Sequence, residues 1–191
     1  EAVYRGLVDE IGIWDVALRP GNIASLAAGQ AAGSLADEDG DGLADAWENL
    51  YAGNLTDLGA EGGGASDGLV ARYTFDDPEN PGADSSGQGN DISGTAGTAP
   101  TWGTDIGFGD TGAYDFAGGN LTAPVDINPG TLPDMTWGAW VRTDSAEPGL
   151  RKVMGHDNGG WDRTIGLDSR NGQFRYTSFT GFGRPVVGNL P

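Results

Sequence analysis

The sequence predicts an all-β protein, and three observations carry that expectation. Glycine supplies 35 of the 191 residues, as in a chain that turns often. Apolar and polar residues alternate in short runs, and helical periodicity is weak. No apolar run reaches the length of a membrane-crossing helix, and no stretch of the sequence is expected to act as a signal peptide. The net charge of −18, from 28 acidic and 10 basic residues, argues against nucleic acid and anionic membrane surfaces as partners, because both would be repelled. It suits a soluble protein working where divalent cations are plentiful. With no cysteine there is neither a disulfide framework nor a thiolate metal site.

Taken in order, Val3–Leu18 (VYRGLVDEIGIWDVAL) is rich in β-branched and aromatic residues, with Val8, Ile11 and Ile13 as the expected buried set. The step from Val8 to Ile11 breaks strict alternation, which predicts a bulge or bend at Asp9 and Glu10. Because the chain opens inside this strand-like run, we expect it to be cut from something longer. Asn22–Gln30 reads as a short helix opened by Pro20 and Asn22, with Ile23 and Leu26 facing inward and Gly29 ending it.

Asp37–Glu48 (DEDGDGLADAWE) follows the pattern D-x-D-x-D-G-x₅-E, by which oxygen ligands wrap a calcium ion. Asp37, Asp39 and Asp41 occupy loop positions one, three and five. Gly42 takes the sixth place, where the chain turns sharply. Leu43 offers its carbonyl, Asp45 a direct or water-mediated contact, and Glu48 both carboxylate oxygens. Acidic side chains packed into so short a run repel one another unless a cation gathers them. The plainer alternative is a solvated acidic linker, since Asp and Gly both favour loops. Ala44–Tyr51 is expected as a short helix with Trp47, Leu50 and Tyr51 on one face. Ala31–Ala36 is a poor helix, so a full helix–loop–helix unit is not expected. Leu58–Asp67 (LGAEGGGASD) reads as a Gly-rich linker and the clearest domain boundary.

Leu69–Phe75 alternates, with Leu69, Ala71, Tyr73 and Phe75 on one face and Val70, Arg72 and Thr74 on the other. Asp84–Asp91 (DSSGQGND) is turn-forming, and Gly109–Gly119 (GDTGAYDFAGG) follows. Met135–Val141 alternates again, with Met135, Trp137, Ala139 and Val141 facing one way.

Two resemblances emerge from these pieces. GLVDEIGIWDVAL followed by a short Ala-rich helix resembles the closing segment of a laminin-G-like (concanavalin A-like) jelly-roll domain. The opening strand at Leu69, the D-S-S-G-x-G-N loop, the G-x-x-x-D-F-x-G strand and T-W-G-A-W-V-R resemble the same family in that order. HDNGGWDRTIGLDSRNGQFRYTSFTG continues it as two or three antiparallel strands. The loop at Asp37–Glu48 is similar to the single calcium repeats of thrombospondin type 3 or dockerin type. The resemblance therefore implies an antiparallel jelly-roll β-sandwich with a short helical calcium-loop linker. Residues 1–30 would be the closing strand and helix, 31–67 the calcium-binding linker, and 68–191 a sandwich lacking its last strands. In that family the closing strand lies beside the opening one, so Leu7–Trp14 is expected to pair with Leu69–Phe75. The partner would belong to the same chain, to a neighbouring copy, or to a lost upstream domain.

The resemblance also implies a second calcium at the rim, with Asp84 and Asn90 as the matching side chains and Asp9 joining them if the N-terminal strand lies alongside. The alternative is that Asp84 and Asn90 cap a turn through their own backbone. Catalysis is not expected. Asp9, Glu10 and Asp15 do not form the alternating carboxylate pair that a retaining glycosidase needs. His156, the single histidine, stands beside Asp157 without a nucleophile motif. Two readings of function remain. One is a non-catalytic calcium-binding module of a repetitive adhesin or filament protein, secreted or on a bacterial cell surface, whose partners are other copies or neighbouring modules. The other is a carbohydrate-binding module appended to a secreted glycan-degrading enzyme, with Trp161, Phe179 and Phe182 stacking on sugars while Trp137 or Trp140 fills the core.

Overall fold

The computed structural model describes residues 4–18, 20–28, 68–104, 106–107, 112–143, 149–156 and 163–168, with the backbone alone at 175–180 and 186–189. Among these residues the chain is built of antiparallel strands with one short helix, α1 (Pro20–Ala27). The all-β expectation holds.

The centre of the molecule is β1 (Arg5–Trp14), a ten-residue strand flanked on both edges. β7 (Thr136–Thr143) runs along one edge, from Gly6 opposite Thr143 to Trp14 opposite Thr136. Two strands share the other edge. β5 (Ala113–Ala117) pairs with Arg5–Val8, and β2 (Leu69–Tyr73) pairs with Ile11–Trp14. β4 (Thr101–Gly103) extends the sheet beyond β5. The expected pairing of Leu7–Trp14 with the Leu69 segment is thus present within the chain. It is confined to the second half of β1, because β5 occupies the first half.

The change of partner falls at the predicted bulge. The β1–β7 register shifts between Asp9 and Gly12, and Glu10 takes a left-handed φ of 47°. A bulge bends its strand and adds twist, and here it marks the junction where β2 ends and β5 begins. Phe75, also left-handed at φ 59°, turns the chain out of the sheet just past β2. The space there is so tight that a Cβ on Gly112 would collide with the Phe75 carbonyl.

Alternation settles which residues are covered. Ala71, Tyr73 and Phe75 are buried with Ile13 and Ile127, and Met135 and Trp137 pack against them. Leu69 belongs to the same predicted face, but the register shift between Ile13 and Trp14 sets it instead against Trp14 and Leu18. A second sheet consists of β8 (Leu150–Gly155), β9 (Arg163–Asp168), β10 (Arg175–Thr180) and β11 (Val186–Asn189), each antiparallel to the next. Leu167 from β9, with Val153 from β8, meets Val8, Ala139 and Val141 of the first sheet. Burying such a side chain is worth about 1.5–3 kcal/mol, so this cluster packs the two sheets against each other. β3 (Gly94–Ala96) and β6 (Asn120–Thr122) form a separate two-stranded ribbon.

The helix departs from expectation in its face. α1 opens at Pro20, whose fixed φ suits a first turn. Leu26 packs toward Trp14, Leu18 and Leu69 as expected, but Ile23 is 48 % exposed. Asn22, one turn before Leu26, is buried in the position expected for Ile23. The packed row runs along positions 22 and 26, neighbours at i, i+4 on a helix, and Ile23 is rotated off it.

Candidate functional site

Asp37, Asp39, Asp41, Leu43, Asp45 and Glu48 lie outside the described residues, as do the expected helix at Ala44–Tyr51 and the linker at Leu58–Asp67. What the structure shows is how the segment carrying them is anchored. The Asp15 N–H donates to the Gly68 carbonyl at 2.8 Å, so the chain leaves β1 and re-enters β2 through one closed neck. Gly68 sits at φ +68°, and a Cβ there would strike the Asp15 carboxylate. The exit is pinned a second time by Thr136 at the start of β7. Its hydroxyl donates to the Val16 carbonyl at 2.9 Å and accepts the Leu18 N–H at 2.8 Å. Residues 37–48 therefore belong to an excursion between two neighbouring strands of one sheet.

Asp84 and Asn90 are described in full. Asp84 Oδ1 accepts the N–H groups of Arg72 and Ser86, both at 2.9 Å. Its Oδ2 accepts the Asn90 N–H at 2.9 Å and the Ser86 hydroxyl at 2.8 Å. Asn90 donates its side-chain amide to the Val70 carbonyl at 2.8 Å, and its own carbonyl accepts the Tyr73 hydroxyl at 2.6 Å. Partial burial would raise the Asp84 carboxyl, but the N–H groups of Arg72, Asn90 and Ser86 and the Ser86 hydroxyl outweigh it and hold the group below its ordinary value. Burial, reinforced by Asp84 and Asp91, pushes the Tyr73 phenol up, so it remains a neutral donor.

These contacts also test whether the residues fit a calcium ion. Calcium takes six to eight oxygens, whereas both Asp84 oxygens already accept two protein hydrogens each. Among the described residues no three or more His, Asp or Glu side chains are grouped to hold a metal. The geometry on display is that of a carboxylate folding its own loop. Asp9 does not join the pair, for a topological reason: β2 stands between β1 and the Asp84 loop, with Arg72 opposite Gly12 on its inner side and bonded to Asp84 on its outer side.

Asp9 and Glu10 form a second acidic region at the bulge. Asp9 is 2 % exposed, and its Oδ1 accepts the Glu10 N–H at 2.8 Å. Glu10 reaches the Arg72 guanidinium at 3.5 Å. Burial raises the Glu10 carboxyl, Arg72 pulls it back, and Asp9 and Asp76 add to the rise.

The two sheets leave a cleft of about 610 Å³, bordered by Tyr4, Val8, Ile13, Tyr73, Phe116 and Trp137. His156 lies at its margin, and its backbone N–H donates to the Arg163 carbonyl at 3.0 Å. Asp157 is outside the described residues, and the described lining of the cleft carries no carboxylate. Trp137 packs on the core; Trp161 and Phe182 lie outside the described residues, and Phe179 is described only as a position on β10. Sequence reasoning missed Arg163. Its buried guanidinium donates to the carbonyls of Ile127 at 3.2 Å, Pro133 at 2.8 Å and Leu132, clamping that turn to β9. Carbonyl acceptors carry no side-chain signature, so no sequence signal marks them. The chain matches no protein-family model, no curated protein and no solved structure.

Proposed function

We propose that this chain is a non-catalytic, calcium-binding structural module of a secreted or surface-attached repetitive protein, with an antiparallel jelly-roll sandwich of laminin-G-like type as its body. The observation that carries this reading is the closed neck at Asp15 and Gly68. It ties the D-x-D-x-D-G-x₅-E sequence to the central strand pair, so an ion held by Asp37, Asp39, Asp41, Asp45, Glu48 and the Leu43 carbonyl would set the geometry of that excursion. The sandwich form is supported by the two antiparallel sheets meeting through Val8 and Leu167. The adhesive role, with other copies or neighbouring modules as partners, follows from the loop type and from an acidic surface suited to calcium-rich surroundings. An ion at Asp84 and Asn90 would have to displace hydrogen bonds already made, so the loop at 37–48 carries the metal proposal. No described observation favours the carbohydrate-binding alternative.

The test is calorimetric titration of calcium into the wild type and Glu48→Ala. The wild type should bind with a Kd on the order of 10⁻⁴–10⁻³ M, the range of extracellular modules, and the variant should lose that binding. Equal binding by both proteins would overturn the ligand assignment.

A further inference from the structure

The cleft between the two sheets is lined by apolar surface that the fold leaves only partly covered. β1 borders it through Val8, Ile11 and Ile13, and β8 through Leu150, Lys152 and Met154. Arg151, between two of these on β8, does not border it, as strand alternation requires. Phe116, Leu121, Val125, Trp137 and Met154 line the cleft and are only half-buried. The two tyrosines of the lining add ring surface, because their hydroxyls are spent elsewhere. Tyr4 donates to the Leu7 carbonyl at 2.8 Å and Tyr73 to the Asn90 carbonyl at 2.6 Å. Protein interiors leave few voids larger than a water molecule. This one, at about 610 Å³, falls within the roughly 300–1,000 Å³ of small-molecule sites. Filled with water it would hold about twenty molecules. Displacing water held by apolar walls favours an apolar ligand.

Charge selects the ligand. The chain's single lysine, Lys152, and its single histidine, His156, both border the cleft. The described lining carries no carboxylate, in a chain with 28 acidic residues. Asp126 lies near enough to feel the charge of His156, but it is engaged in its own turn. There the Thr131 hydroxyl donates to it at 2.7 Å and the Asn128 N–H at 3.0 Å. We infer that the cleft binds an amphipathic anion of fatty-acid type, its hydrocarbon body between the sheets and its carboxylate against Lys152 and His156. One ammonium and one imidazole suit a singly charged head, and apolar walls strengthen their attraction for it. A sugar suits the cleft less well, because its many hydroxyls would meet few polar side chains of the described lining beyond Asn120 and Thr122. The preference runs against the net charge of −18, which by itself attracts cations. The site is independent of the calcium loop.

The experiment titrates the full chain with dodecanoate and, separately, with dodecyltrimethylammonium, which carries the same tail and the opposite charge. Both are kept below the concentrations at which they form micelles. Calorimetry should show a single saturable site for dodecanoate and weaker binding of the cation. Lys152→Met should weaken dodecanoate by at least about tenfold, the loss of one charge-assisted contact. It should leave the cation little changed, and Lys152→Arg should keep the wild-type affinity for dodecanoate. Leu121→Trp, on the outlying ribbon, narrows the cleft and should weaken dodecanoate without altering charge. If Lys152→Met does not fold, the wild type's preference between anion and cation decides with Leu121→Trp. Binding of the cation as tightly as dodecanoate would overturn the inference. So would dodecanoate binding that either folded variant leaves unchanged, or no binding of dodecanoate at all.

Discussion

Arg72 stands between two acidic regions that treat their carboxylates in opposite ways. On the outer side of β2, Asp84 is only partly covered and spends both oxygens on N–H and O–H donors. On the inner side, Glu10 sits at a bulge beside buried Asp9, with one long ion pair to Arg72 at 3.5 Å. The first carboxylate is favoured in its charged form and the second is disfavoured. The difference lies in donors. Backbone N–H groups aimed at a carboxylate stabilise its charge at short range, whereas a distant guanidinium does not offset burial and two neighbouring acids. An acid in a loop is here a fastener, and an acid in a strand is a cost borne by the bulge.

The largest consequence concerns the fastener. Asp84→Ala leaves the N–H groups of Arg72, Ser86 and Asn90 without their acceptor, and hydrogen bonds to a charged group are worth about 1.5–3 kcal/mol each before water replaces them. Because the loop is half exposed and water can enter, we expect a loss of about 2–3 kcal/mol in denaturant unfolding. Asp84→Asn keeps one acceptor oxygen and should lose about half as much. At the bulge, Glu10→Gln should change stability by less than about 1 kcal/mol at neutral pH, and in the stabilising direction, since it removes a disfavoured charge at the expense of a weak ion pair. If Glu10→Gln costs as much as Asp84→Asn, the contrast between the two regions fails.

Much of the contrast could be read in the sequence, but not its wiring. The bulge was announced by the broken alternation between Val8 and Ile11, and the covered face of β2 by Ala71, Tyr73 and Phe75. The pairing of the first strand with the Leu69 segment followed from the family resemblance. Local patterns do not encode long-range partners, however, so nothing showed that β5 and β2 would share one edge of β1. β3, β4 and β6 have three residues each, too short for alternation to register. Ile23 misled because an eight-residue helix gives few turns from which to fix a face. At the site, the Asx character of Asp84 and Asn90 was legible. That their acceptors and donors would be the edge of β2 was not, since those partners are backbone atoms. Asp37–Glu48 carries the clearest chemistry in the sequence and lies outside the described residues.

The smallest effect is also the most discriminating, because the two acids should answer pH with opposite signs. Asp84 has a folded pKa below its unfolded value of about 3.9. It binds fewer protons in the folded state, so its contribution is complete above that unfolded value and is lost as pH falls through the folded one. Glu10 has a folded pKa above its unfolded value of about 4.3. Its contribution is complete below that unfolded value and is lost as pH rises through the folded one. The deficit of Asp84→Asn relative to the wild type should therefore shrink as the solution is made acidic. The gain of Glu10→Gln should be absent in acid and appear as pH climbs past the raised Glu10 value. Arg72→Met should push that second transition to still higher pH, because it removes the one cation that lowers it. Stability curves of the four proteins measured from pH 3 to pH 8 would show this crossing. Parallel curves would mean that the two carboxylates differ in contacts but not in charge.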